Sequence, residues 1–200
     1  MRKENFFSAR RVAGMGILLA LVIVLQVFGG YIKIGTTPLS FVLVPIVLGA
    51  ILFGPTVGGF LGFAFGLIVL LYGVFGLDGF TMVLFNDHPI WTSILCLGKG
   101  TAAGVIAGLV YKIVAKKNGY AATFVAAATA PLVNTGLFIL GALLMSDTLS
   151  ANFVADGTTV IYFLVIVCAG INFLIELAIN LICSPAIYTV LRVASKGKIK

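Results

Sequence analysis

Five long stretches of this chain carry almost no charge, and their spacing constrains the fold more than any other feature. Between Arg11 and Lys33 lie 21 uncharged residues, and from Ile34 to Leu77 there are 44 more. His88–Tyr111 is interrupted only by Lys99, Asn118–Ser146 is uncharged throughout, and Gly157–Leu191 is interrupted only by Glu176. A membrane-spanning helix needs about 20 predominantly apolar residues to cross roughly 30 Å of hydrocarbon. The 44-residue run is too long for one span, and Gly54-Pro55 near its middle is a natural turn between two helices. The pattern predicts six helices at 10–29, 39–53, 55–75, 90–114, 120–145 and 159–193. A β-barrel would show short alternating segments instead. With 61% hydrophobic and 10% charged residues, the chain cannot present the surface of a soluble domain, where about 25% of residues are charged. The fold class is therefore all-α integral membrane, with residues 1–200 forming a single compact six-helix transmembrane domain.

Orientation follows from lysine and arginine. If the N-terminus is inside, cytoplasmic segments hold 11 of the 13 basic residues, all but Lys33 and Lys99. The outer loops collect Asp78, Asp87, Asp147 and Asp156. The positive-inside rule then places both termini in the cytoplasm. The net charge of +7 is thus a topology signal. No basic stripe with interleaved aromatics points to a nucleic-acid partner. The first apolar run lacks a small-residue cleavage site and continues into further spans, so it reads as a helix. Cys96, Cys168 and Cys183 fall inside predicted helices without CxxC spacing, and read as small apolar residues with no metal role.

Enzyme signatures are missing. The single histidine, His88, excludes HExxH zinc chemistry, and there is neither a GxSxG elbow nor a Walker A motif. Binding or transport is left as the default class. Within the spans only Lys99 and Glu176 are charged, and buried membrane charges face a partner or a water-filled cavity. The two could form an ion pair locking two helices, or Lys99 could await an anionic substrate while Glu176 orders the site. Asn172, Glu176 and Asn180 recur every fourth residue and form one polar stripe. Asn134 stands beside Pro131, whose missing amide frees a carbonyl. Asn180 reads as interhelical glue, whereas Asn134 and Asn172 lean toward a ligand.

Two outer loops, 30–38 with Tyr31 and 77–89 with Phe80, Met82, Leu84 and Phe85, are apolar enough to fold over a pocket as lids. His88 and Trp91 stand at the hinge of the second; packing onto helix ends competes with substrate contact there. In the first helix, Ala13, Gly16 and Ala20 place small side chains on one side, where another helix can approach closely. That partner is as readily another subunit as an internal helix.

The layout resembles the substrate-binding (S) component of energy-coupling-factor (ECF) vitamin transporters over nearly the whole chain. The most specific part is the hairpin phrase from Leu43-Val44-Pro45 through Gly54-Pro55-Thr56-Val57-Gly58-Gly59. Three further phrases are similar to pantothenate-type members: Cys96-Leu97-Gly98-Lys99-Gly100, Ala130-Pro131-Leu132-Val133-Asn134-Thr135 and Asn172-Phe173-Leu174-Ile175-Glu176-Leu177. Those relatives carry an arginine at the place of Lys99, so here the cation loses its bidentate fork. The resemblance implies a multi-pass subunit of a bacterial cell membrane that binds a vitamin in an outward pocket. It also implies docking, through Ala13, Gly16 and Ala20, on a membrane coupling subunit with two ATPase subunits. ATP is then used by those partners, and this chain needs no cofactor. Lys99 would neutralise a carboxylate, with Asn134, Asn172, Glu176, His88, Trp91 and Tyr31 contacting the remainder. Pantothenate fits one cation, and folate, a thiamine or queuosine precursor and riboflavin are the alternatives within the family. A stand-alone carrier using Lys99 and Glu176 for proton coupling is the rival from another class.

Overall fold

The computed structural model describes the backbone of residues 9–29, 33–34, 37–38 and 41–194. In order come α1 (Ala9–Gly29), strands β1 (Lys33–Ile34) and β2 (Thr37–Pro38), α2 (Leu43–Phe53), α3 (Pro55–Val74), α4 (Gly79–Asp87), α5 (Pro89–Val114), α6 (Gly119–Leu143) and α7 (Ser146–Asn152). A final helical stretch follows: α8 (Val160–Tyr162), a π-helical segment Phe163–Gly170, and α9 (Ile171–Ala194). The two short strands pair antiparallel, Lys33 opposite Pro38 and Ile34 opposite Thr37. Tyr31 and most of the expected 30–38 lid lie outside the described residues.

Five of these helical stretches are long and apolar enough to cross a membrane: Arg11–Gly29, Pro55–Val74, Pro89–Val114, Gly119–Leu143 and Val160–Ala194. The sixth expected helix is shorter than its 39–53 reading. At 11 residues, α2 covers about 16 Å at 1.5 Å per residue, roughly half the hydrocarbon thickness. Its end is sharply defined. Gly54 adopts φ 100° and ψ 170°, backbone space open essentially only to glycine, and Pro55 starts α3 at the first helical position. The Arg11 guanidinium donates to the Phe53 carbonyl at 2.6 Å, placing a cation at the C-terminus of α2 and fastening α1 to it.

The stretch 77–89, expected as a loop, contains α4. Its start is capped by Asp78, whose Oδ2 accepts from the Thr81 N–H at 3.0 Å and the Thr81 hydroxyl at 2.6 Å. Phe80 and Leu84 are buried as their apolar character requires, while Met82 stays exposed. Asp78, read from sequence as an outer-face charge, is itself buried. A second short helix, α7, joins α4 through a hydrogen bond from the Thr148 hydroxyl to Asp87 Oδ2 at 2.9 Å.

Glycine determines how the long helices meet. A Cβ at Gly62 would collide with the Gly100 carbonyl, and one at Gly104 with the Gly58 carbonyl. The backbones of α3 and α5 therefore touch directly, the arrangement by which membrane helices gain packing without a hydrophobic driving force. Beyond this seam the interior divides into apolar clusters. One joins Val47, Ala107, Ala126 and Ile187 across α2, α5, α6 and α9; another joins Leu18, Val22, Ile46 and Leu61 across α1–α3. The outward faces remain apolar, with Ile17, Ile113 and Ile182 about two-thirds exposed or more, as expected for a surface covered by lipid.

Candidate functional site

The polar side chains of the spans converge on one cavity. Lys99 comes from α5, Asn134 and Thr135 from α6, and Asn172 and Glu176 from α9. The apolar walls are Phe65, Val69 and Tyr72 of α3, Phe80 of α4, Phe138 of α6 and Phe173 of α9. Asp78, Thr81, Cys168, Ala169 and Gln26 of α1 complete the lining. The space between these walls, with the open mouth and its solvent included, is about 780 Å³.

Lys99 and Glu176 share the cavity but do not pair: among the described residues Lys99 has no carboxylate partner. Its Nζ lies 5.0 Å from the centroid of the Phe138 ring, a cation–π distance that holds the ammonium without neutralising it. Phe138 in turn packs on Phe80 at 6.0 Å between centroids, and Phe80 on Phe153 at 5.1 Å. This aromatic chain closes α4 over the cavity.

Asn134 is buried, and its Oδ1 has no hydrogen-bond partner among the described residues. It stands one turn beyond Pro131 in a helix that runs unbroken through that proline. A buried amide oxygen left unpaired costs about 1–3 kcal/mol, a penalty that a ligand donor would remove. Asn172 is held differently, its Nδ2 donating to the Cys168 carbonyl at 3.1 Å. The bond falls where the wide π-helical turn gives way to α9, a place where the backbone ladder changes partner. Asn180 lies outside the cavity lining and serves its own helix: its Nδ2 donates to the Glu176 carbonyl at 2.8 Å. The expected bond to a neighbouring helix is not the one it makes, and Ser184 repeats the pattern toward the Asn180 carbonyl at 2.8 Å.

Two expected site residues stand elsewhere. Trp91 lines a lateral groove between α5 and α6 with Ile94, Leu95, Leu137 and Leu140. Its Nε1–H donates to the Gly141 carbonyl at 3.0 Å, pinning the two helices together. Trp91→Phe removes that bond and is expected to lower stability by about 1 kcal/mol while leaving ligand affinity unchanged. Thermal melts and titrations on the same preparation check this, and a weakened affinity would return Trp91 to the site. His88 is outside the cavity lining as well, with Nε2 3.5 Å from Asp147 Oδ1. The Thr148 backbone N–H, helped by His88, holds the Asp147 carboxyl below the usual carboxylate range. The His88–Asp147 contact and the Thr148–Asp87 bond tie α7 to the end of α4.

Of the residues missed by sequence reasoning, Gln26 had a visible signal: it is the single amide in an otherwise apolar α1. Phe138 had one too, following Asn134 by four residues on α6; Asp78 and Thr81 had none, because their place in the lining depends on how α4 folds back. On α1 the small residues Ala13, Gly16 and Ala20 are all exposed, and a side chain at Gly16 would meet open space. That stripe is unused by the internal packing of the described residues.

A model of the family described as ECF transporter, substrate-specific component, matches residues 10–188. No curated protein matches the chain. The match spans nearly all of the five-span bundle and its polar cavity, and the chain belongs to the substrate-specific components of ECF transporters, multi-pass membrane subunits that bind a small molecule for a module of coupling subunit and ATPases.

Proposed function

We propose that this subunit captures pantothenate, or a small carboxylate closely like it, in the cavity between α3, α5, α6 and α9. The observation that carries the reading is Lys99: a cation facing a partly open cavity with largely apolar walls, without a carboxylate partner among the described residues. An ammonium so placed is suited to a single anionic group. Pantothenate supplies one carboxylate for Lys99, and its amide and two hydroxyls supply donors and acceptors for Asn134, Asn172 and Thr135. Phe65, Phe80 and Phe173 suit its methyl-bearing carbon skeleton. Glu176 orders the polar side of the cavity.

The chain sits in a bacterial cell membrane with both termini cytoplasmic, as the distribution of lysine and arginine supports. The exposed Ala13, Gly16 and Ala20 stripe is where the coupling subunit docks, and ATP is hydrolysed by the partner ATPases. The proton-coupled alternative rested on a Lys99–Glu176 pair, and no such pair forms among the described residues. Native mass spectrometry of the purified chain tests the proposal. A retained molecule of pantothenate mass is the expected result, whereas a retained cationic or neutral vitamin would overturn it.

A further inference from the structure

Two polar groups in the cavity, Tyr72 of α3 and Gln26 of α1, belong to neither the α5–α6–α9 cluster nor the short helix α4, and only Gln26 comes from the first helix. Gln26 of α1 is 4% exposed and lines the cavity, and its amide makes no hydrogen bond among the described residues. Along α1 the buried positions Leu18, Val22 and Gln26 are spaced by four, so they form one face. The first two pack into the apolar cluster of α1–α3, and a leucine at the third would continue that packing. The chain instead places there a side chain with one acceptor and two donor hydrogens, in a span otherwise composed of apolar and small residues after Arg11. Buried polar groups are retained when they find a partner, and the space this residue lines is the cavity.

We infer that Gln26 is a substrate-binding residue, hydrogen-bonding a neutral polar group, a hydroxyl or an amide, of the captured molecule. The inference rests on the reading that the substrate occupies this cavity. Its consequence concerns α1 as a unit. Ala13, Gly16 and Ala20 point away from the Gln26 face, on the opposite side of the same rigid helix. A bound molecule therefore bridges α1 to the α5–α6–α9 wall, and the helix carrying the exposed small-residue stripe is seated by the substrate itself.

The test uses the full chain in detergent, with Gln26→Leu compared to wild type. Pantothenate, folate, thiamine and riboflavin are titrated separately by calorimetry, and the melting temperature is measured without ligand. For whichever probe wild type binds, Gln26→Leu is expected to lose tenfold or more in affinity, with an unchanged or raised ligand-free melting temperature. Unaltered affinity overturns the inference, and so does a lowered ligand-free melting temperature, because that marks the amide as a structural contact. Lys99→Ala, run in parallel, scores the carboxylate reading separately: if pantothenate binding survives it but falls in Gln26→Leu, the carboxylate role fails and Gln26 stands. Should wild type bind none of the four probes, the pantothenate reading fails and the Gln26 inference falls with it.

Discussion

Lys99→Ala is expected to weaken pantothenate binding by about 30- to 1,000-fold, the equivalent of about 2–4 kcal/mol. The magnitude follows from what is left behind. Alanine leaves the ligand carboxylate in a low-dielectric space without a counter-charge, and breaking a buried ion pair by removing one partner costs about 3–5 kcal/mol. Part of this is recovered because the cavity has a mouth through which water can solvate the anion. The substitution should not unfold the chain: Lys99 makes no ion pair among the described residues, and its ammonium rests on the Phe138 ring. Lys99→Arg is the informative companion. A guanidinium offers a carboxylate two parallel donors where an ammonium offers a point charge, so affinity should be kept or improved. Calorimetric titration of the three proteins decides it, and a Lys99→Ala protein that binds like wild type would remove the cation from the mechanism.

The largest effect on stability is expected at the seam between α3 and α5. Gly62 and Gly100 face each other so closely that a Cβ on either meets the backbone of the other, and the same holds for Gly58 and Gly104. Side-chain clashes relax by changing rotamer, but a carbonyl in a helix cannot move without its helix. Gly62→Ala should therefore reach or exceed the upper end of the roughly 1–3 kcal/mol typical of overpacking. Separating the helices also displaces Lys99, which directly precedes Gly100, relative to Phe65 and Val69 of α3, so ligand affinity should fall with stability. Gly98 is the control. It lies on the same helix, and a methyl group there would meet nothing within 4 Å. Gly98→Ala should be neutral or gain up to about 1 kcal/mol from helix propensity. Melting curves in detergent separate the two, and equal melting temperatures for Gly62→Ala and wild type would refute the seam.

Much of this architecture is written in one dimension because the bilayer is an unforgiving solvent. A run of 20 apolar residues has few other uses, so five of the six expected spans were readable from charge spacing alone, while α2 is too short to count among them. The α2–α3 break was equally plain, since Gly-Pro combines the residue that tolerates φ 100° with the one that opens a helix. The same scarcity picked out Lys99, Asn134, Asn172 and Glu176, which the structure brings to one cavity. Polar groups inside a membrane protein must turn away from lipid, and a small bundle has few places to turn.

Tertiary structure decided where that argument loses its grip, at helix ends and in helix rotation. Trp91 and His88 sit near the ends of their helices, where a polar side chain can turn to a neighbouring carbonyl or carboxylate as well as to a ligand; here Trp91 donates to Gly141, and His88 lies 3.5 Å from Asp147. The shortness of α2 depends on the chain before Leu43, where apolar composition alone does not distinguish helix from turn. The π-helical segment Phe163–Gly170 changes the angular register ahead of α9, yet Cys168, Asn172 and Glu176, spaced by four, still reach one lining. Gln26 is the clearest case. Its chemistry was visible as the one amide in an apolar helix, but whether it met lipid, a neighbouring helix or the cavity depended on how α1 is rotated against α2 and α3, and that rotation is fixed by packing between helices distant in the chain.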